Sequence, residues 1–335
     1  MKRATIKHVA ERAGVSQAAV SKVLRNAYGL SDDMRRRVQA AMIELDYRPQ
    51  TAARGLRGRT YTLGILIPDI RNPFFPDILD GVVSQLRGTQ YQTFLGVGQA
   101  EVPNERGLIE AMLDRKMDGL LLIAPRLEHD YLDRLVRTVP TVFIGRHERG
   151  KGFDTVNNDD ELGGRMVVDH FAGLGHERIA HFALDLPEQS PVTVNSRRLK
   201  GYEVAMTAHG LGGHIQVRSG GNTADGRAVA TDMLAREKPT AIFAWTDNIA
   251  ISVMSAAAEL GLRVPDDLSV IGYDNSSICD VAQISLTSVD QSAHLLGETA
   301  ARLLMERIDG REDEVHFVVP PRLVVRNSTG APSAR

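Results

Sequence analysis

Apolar residues recur along this chain in two rhythms. Up to about residue 47 they return every three or four positions, as on one face of a helix. Ile6, Val9, Ala10 and Ala13 share the face of a stretch that Thr5 can N-cap. Gly14 interrupts it, and Ser16 can cap a second helix running to about Asn26. A third begins after Ser31, with Asp32 and Asp33 in its electropositive first turn and Met34, Val38, Ala41 and Leu45 as its buried stripe. Ala10, Gly14 and Val20 then stand where a helix-turn-helix needs a small residue at the crossing, a tight turn and a β-branched filler. Between Arg48 and Gly58, Pro49 can start a further helix and Gly58 can stop it. At roughly eight residues it is too short to hold alone in water. It reads either as a linker or as a hinge that folds when docked, with Leu56 an apolar wedge among arginines.

After Thr60 the rhythm changes to short apolar runs alternating with longer amphipathic ones. The runs Thr62–Ile67, Thr93–Gly96, Gly119–Ile123 and Thr141–Ile144 read as one set of strands. Ile179–Ala183, Ile215–Arg218, Ala241–Ala244 and Leu268–Tyr273 read as another. Between them fall helical stretches at Phe74–Arg87, Asn104–Arg115, Glu161–Ala172, Ser196–His209 and Asn248–Leu260. Strand–helix alternation in two batches predicts two doubly wound parallel sheets, whose ligands bind beyond the carboxyl ends of the strands. Asp69 and Asn72 follow the first strand, Arg146 the fourth, and Asp247 and Asp274 two later ones. Phe74 and Phe75 read as helix-start core, or as one ring stacking on a ligand.

Charge separates the same two parts. The net charge of −2 over 335 residues hides thirteen Lys and Arg against five Asp and Glu in residues 1–60, so a head of +8 precedes a body of −10. A patterned basic head points to a polyanion partner. Hydrophobic residues at 43% and charged ones at 24% exclude a disordered chain. No run of about 18 apolar residues could span a membrane, and MKRATIKHVA lacks the apolar core of a signal peptide. The single cysteine, Cys279, cannot form an internal disulfide, which fits a cytoplasmic protein.

Several catalytic look-alikes fail on their own terms. Gly145 to Lys151 matches most of a phosphate-binding loop, but Gly152 replaces the required Ser or Thr and the following FDTVNN reads as extended chain. Gly96-Val97-Gly98 begins a dinucleotide fingerprint that Glu101 spoils. His176-Glu177 with His181 is one residue too long for a zincin motif. The Asn327-Ser328-Thr329 sequon is idle without a secretion signal. No enzyme, metal or cofactor is expected.

The strings TIKHVAERAGVSQAAVSKVLRN, YRPQTAARGLR, TLGILIPDIRNPFF, GHERIAHF, RRLKGYEVAM, TDNIAISVMSAAAELGLRVPDDLSVIGYDN and TSVDQSAHLLGETAARLL, in this order, resemble the LacI/GalR (lactose-repressor) family over essentially the whole chain. Lys22, Gln50 and Gly55 depart from its usual residues. The resemblance implies an all-α helix-turn-helix head (1–48), a hinge (49–59) and a periplasmic-binding-protein-like α/β body (60–335). Lobe 1 would take residues 60–160 and 290–320, with the helix Ala293–Ile308; lobe 2 would take 161–289 and 321–330. It implies that Gln17, Ala18, Ser21 and Lys22 face the major groove, where lysine suits guanine, glutamine adenine and an alanine methyl thymine. Thr5, Ser16, Arg25 and Ser31 would meet the DNA backbone, and Ala53, Leu56 and Arg57 the minor groove. Arg198, Asp274 and Gln291 would join Asp69, Asn72, Phe74, Arg146 and Asp247 around a small effector, a sugar or polyol, with a nucleoside or purine as the alternative. The expected protein is a repressor working as a homodimer on a pseudo-palindromic operator. A solute-binding protein of the same body fold is the rival, which the basic head disfavours.

Overall fold

A computed structural model describes residues 4–24, 29–47, 58–184, 190–220 and 226–333, which fall in two units, Met1–Thr60 and Tyr61–Arg335. In the first unit three helices form: α1 (Ile6–Ala13), α2 (Gln17–Leu24) and α3 (Asp32–Glu44). Each starts where a hydroxyl can satisfy an orphan backbone donor. The Thr5 oxygen accepts from the His8 N–H at 3.4 Å while His8 Nδ1 accepts from the Thr5 N–H at 3.2 Å. Ser16 accepts from the Ala19 N–H at 3.1 Å, and Ser31 from the Met34 N–H at 3.3 Å. Gly14 ends α1 at φ +63°, with open space around its α-carbon, so the left-handed backbone rather than crowding calls for glycine. Val9, Ala10, Ala13, Val20, Val38 and Ala41 form the core, with Leu45 packed at its edge. The expected end of α2 near Asn26, together with Arg25 and the hinge residues Ala53, Leu56 and Arg57, lies outside the described residues.

The second unit holds two six-stranded sheets. One contains β1 (Thr62–Ile67), β2 (Gln92–Val97), β3 (Gly119–Ile123), β4 (Thr141–Ile144) and β5 (Asp154–Asn158). Helices α4 (Phe74–Leu86), α5 (Val102–Asp114) and α6 (His129–Val136) connect its strands, and α7 (Asp160–Gly173) leads out of it. The other contains β6 (Ile179–Ala183), β7 (Gln216–Ser219), β8 (Ala241–Ala244), β9 (Ser269–Asp274) and β10 (Thr287–Asp290), with α8 (Val194–Ala208), α9 (Gly226–Arg236) and α10 (Asp247–Glu259). The chain then adds α11 (Ala293–Ile308), β11 (His316–Val319) and β12 (Arg322–Val324). The orders are β11-β5-β4-β3-β1-β2 and β12-β10-β9-β8-β6-β7. Every pairing is parallel except that of β10 with β12. Central strands such as β3 and β8 are buried along their whole length, as a sheet covered on both faces requires.

The chain passes between the sheets three times, at Asp159, after Asp290 and after Val319. Asn158 joins all three passages: its amide donates to the Gln291 carbonyl at 3.4 Å and the Val319 carbonyl at 3.0 Å. Glycines set two helix contacts. A Cβ on Gly81 would lie 2.1 Å from the His294 carbonyl, and one on Gly297 2.0 Å from the Ile78 carbonyl, so α11 presses directly on α4. Likewise, a Cβ on Gly164 would stand 2.5 Å from the Arg198 carbonyl, and one on Gly201 2.1 Å from the Glu161 carbonyl. That close approach of α8 to α7 positions the cleft described next.

Candidate nucleic-acid interface and ligand cleft

In the head, α2 turns Val20 into the core and leaves Gln17, Ala18 and Lys22 exposed, with Ser21 half-buried. These four form the outer face of a short helix braced by two others, so they can be offered to a groove as a unit. The hydroxyls of Thr5, Ser16 and Ser31 accept from helix N–H groups, which leaves each hydroxyl proton able to donate to a phosphate oxygen.

In the body, Arg198 is the centre of the strand-end cleft. It is only 3% exposed, and its guanidinium lies 4.2 Å from the Trp245 ring centroid and 3.5 Å from that of Tyr273. Its Nε donates to Asp160 Oδ1 at 2.8 Å, Nη1 to the Trp245 carbonyl at 3.0 Å, and Nη2 to Gln291 Oε1 at 3.2 Å. Gln291 Nε2 in turn donates to Asp274 Oδ1 at 2.6 Å, and Asn72 Nδ2 donates to Asp274 Oδ2 at 3.0 Å. Four of the expected residues thus form one hydrogen-bonded chain, Arg198–Gln291–Asp274–Asn72. Asp274 sits at φ +111°, where a side chain is strained. Burial and then the neighbouring Asp247 push its carboxyl up to about 8.

The other expected residues are placed differently. Asp69 is gripped by Arg71, with Nε–Oδ1 at 3.0 Å and Nη2–Oδ2 at 2.8 Å, which holds its carboxyl below the usual range. The Arg146 side chain lies along Glu148 at 2.6 Å, and its backbone is clasped by the Asn157 amide. Phe74 is core rather than cleft: it is 9% exposed, packs with Ile78 and Val82, and meets Phe75 edge to face. Asp247 lies beneath the cleft. It accepts from the Ser276 N–H (2.7 Å), Ser276 Oγ (2.8 Å) and Ser288 Oγ (2.5 Å), so its charge holds the turn after β9. The buried carboxyl is raised by desolvation, which these donors offset only in part.

Four cleft residues escaped the sequence reading. Trp245 is the only tryptophan and follows the end of β8, so the strand-end rule could have found it. Tyr273 reads as an ordinary strand residue. Asp160 and His147 give no signal until the fold brings them together at 2.7 Å. Asp160 is 1% exposed, and its two oxygens hold Arg198 and His147. Burial alone would raise this carboxyl, and Arg198 and then His147 more than reverse that.

The cleft is closed. Asn72 reaches Asp274, the Asn248 amide donates to the Arg71 carbonyl at 3.3 Å, and the His147 N–H donates to the Val192 carbonyl at 2.8 Å. Each bond joins the β1–β5 side to the β6–β10 side. The catalytic look-alikes are structural. Gly145 to Lys151 is a loop leading into β5 rather than a helix. His176 bonds Thr240, Ser269 and the Gly330 carbonyl, and His181 stacks on Phe243 in the core. Among the described residues no cluster could hold a metal, and no helix is long and apolar enough to cross a membrane.

A basic three-helix head ahead of a two-sheet body with a buried polar cleft defines a transcriptional regulator that binds DNA. The model of the lacI family of bacterial regulatory proteins matches residues 5–50, and that of a periplasmic binding protein-like domain matches residues 168–329. The chain is 33% identical over 332 residues to the HTH-type transcriptional repressor PurR of Photobacterium profundum, covering 97% of this chain and 98% of that one. It is similar to a transcriptional regulator CelR–cellobiose complex, with 30% identity, TM-score 0.70 and coverage of 97% and 100%. It is also similar to the lac repressor dimer bound to operator and the anti-inducer ONPF, with 26% identity, TM-score 0.80 and coverage of 98% and 100%. The chain belongs to the LacI family of bacterial DNA-binding transcriptional repressors.

Proposed function

We propose that this repressor answers to a small polyhydroxylated effector, a sugar or polyol, which enters the cleft around Arg198, Gln291, Asp274 and Asn72. The observation that carries this reading is the alternation of donors and acceptors in that chain. A hydroxyl both gives and takes a hydrogen bond, so vicinal hydroxyls can replace the amides on Asp274 while accepting from Arg198. In this reading residues 1–48 read DNA through Gln17, Ala18, Ser21 and Lys22, and Thr5, Ser16, Arg25 and Ser31 hold its backbone. Residues 49–59 would place Ala53, Leu56 and Arg57 in the minor groove. Residues 60–335 would bind effector, and two copies would read a pseudo-palindrome. The cellobiose in the CelR complex supports the sugar class by similarity.

A thermal-shift screen of sugars, polyols and nucleosides tests the effector class. A ligand at 100 times its Kd raises stability by about 2.7 kcal/mol. Stabilisation by a nucleoside or purine and by no sugar would overturn the proposal. Gel shifts on the DNA upstream of the chain's own gene, with and without the hit, then test the gating.

A further inference from the structure

A pocket of about 380 Å³ lies outside the cleft, on the far side of Asp160. It is walled by His147 and Arg149 after β4, by Thr155 and Asn158 of β5, and by Arg165 of α7 and Arg197 of α8. We propose that this pocket is a second ligand site, for a small anion that presents paired oxygens, such as a phosphate monoester or a dicarboxylate.

The walls give the chemistry. Val318 is the one apolar residue lining the pocket, so little favours an apolar ligand. Three carboxylates also line it, and each is already engaged. Glu148 is held by Arg146 at 2.6 Å, Asp159 caps α7 by accepting from the Leu162 N–H at 3.0 Å, and Glu161 meets Lys200 at 3.2 Å and Arg197 at 3.7 Å. Arg149 and Arg165 are exposed, and among the described residues neither guanidinium is in an ion pair. Two unpaired forks on facing walls suit an anion with paired oxygens, which guanidinium recognises bidentately. The volume lies at the lower end of small-molecule sites, above what a bare phosphate fills.

The placement also gives the pocket a consequence. Arg149 belongs to the β1–β5 side and Arg165 to α7 beyond the first passage, so a bound anion would bridge the two sides. Asn158, which ties the three passages together, lines the same pocket. From His147 the contact runs through Asp160 to Arg198, at 2.7 and 2.8 Å. An anion here therefore favours one degree of closure and, by reciprocity, changes effector affinity by the same factor that effector changes its own. This inference rests on the pocket alone and stands whether or not the effector is a sugar.

The test is thermal unfolding of the full chain without DNA, at constant pH and ionic strength. The probes are inorganic phosphate, glycerol 3-phosphate and succinate, with chloride as the reference salt. A saturable rise in Tm with at least one probe is expected, and which probe saturates at the lowest concentration distinguishes phosphate from carboxylate. Arg149→Gln and Arg165→Gln should each raise the half-saturating concentration, and the double variant should raise it at least tenfold. Arg137→Gln, a remote exposed arginine on α6, should leave it unchanged. No saturable rise with any probe overturns the proposal. So does a parent-like rise in the double variant, which would place the anion elsewhere, the basic head included.

Discussion

Replacing Arg198 with methionine should cost the body about 3–5 kcal/mol, because it deletes one partner of a buried ion pair and leaves the other. Asp160 would keep only His147, and the Trp245 carbonyl and Gln291 Oε1 would each lose a donor. The two flanking rings would lose a desolvated cation, an interaction of about 2 kcal/mol that is part of the same loss. Against a typical stability of about 5–15 kcal/mol this is a large share. The assay is urea unfolding followed by tryptophan fluorescence, since the only tryptophan stacks on the deleted group. Removing both charges with Arg198→Met/Asp160→Leu should recover a substantial part of the loss, as paired burial of two charges is costly in itself. The pH dependence should also reverse. In the parent, the depressed Asp160 carboxyl adds stability above its unfolded value near 4, and this is lost as pH falls through the lower folded value. Without Arg198, burial raises that carboxyl instead, so its contribution becomes a penalty that grows as pH rises above about 4. A single variant costing under about 1 kcal/mol, or a double variant costing the full sum of both singles, would refute the reasoning.

Lys22→Ala should relax base preference at one position of each half-site, by about 1–3 kcal/mol in a binding-site selection; an unchanged selected site would make Lys22 a bystander. Operator affinity should fall steeply with salt, each phosphate contact adding about −0.9 to the slope of log K against log salt. A fragment starting at Thr60 that still shifted operator DNA would contradict this. Gly201→Ala should lower the urea midpoint by an amount equivalent to about 1–3 kcal/mol, since its Cβ would meet the Glu161 carbonyl at 2.1 Å. Gly107→Ala, in open space within α5, should instead raise stability by about 0.5–1 kcal/mol.

What the sequence revealed divides along physical lines. Periodicity located β1, β3, β4, β6, β8 and α11 at their observed bounds, because each is a short apolar run or a long amphipathic one between turn residues. It named neither α6 and α9 nor the short strands β10, β11 and β12. The strand β11 carries exposed Phe317 and Val318 at a sheet edge, and β12 is three residues long, so burial imposes little pattern on them. Within the cleft, Asn72 and Asp274 were legible because they follow strands. Asp247 follows one too, yet the serines at 276 and 288 take its oxygens, and no spacing rule foresees partners 29 and 41 residues away. Phe74 shows the same limit in reverse. An aromatic at a helix start faces core or cleft according to the rotation of the helix, which here the glycine contact with α11 fixes.

The residues offered to an effector are also those that hold the cleft shut without one. Asn72 and Gln291 occupy both oxygens of Asp274, and the Arg71 carbonyl and Val192 carbonyl take two further bonds across the opening. Such bonds are each worth about 0.5–1.5 kcal/mol net, so the closed form is held by a modest sum that thermal opening can overcome. A ligand entering must break some of them, and only the difference between its own bonds and those it replaces shifts the equilibrium. Moving the population from 1:99 to 99:1 takes about 5.5 kcal/mol of that difference. At about 1 kcal/mol per replaced contact, a ligand with one or two polar groups falls short. A ligand with several hydroxyls set at ring spacing can reach it, because each hydroxyl adds a bond without adding a charge to a site that already buries Asp160, Arg198 and Asp274. The gating requirement therefore selects for many weak, neutral contacts rather than one strong ionic one.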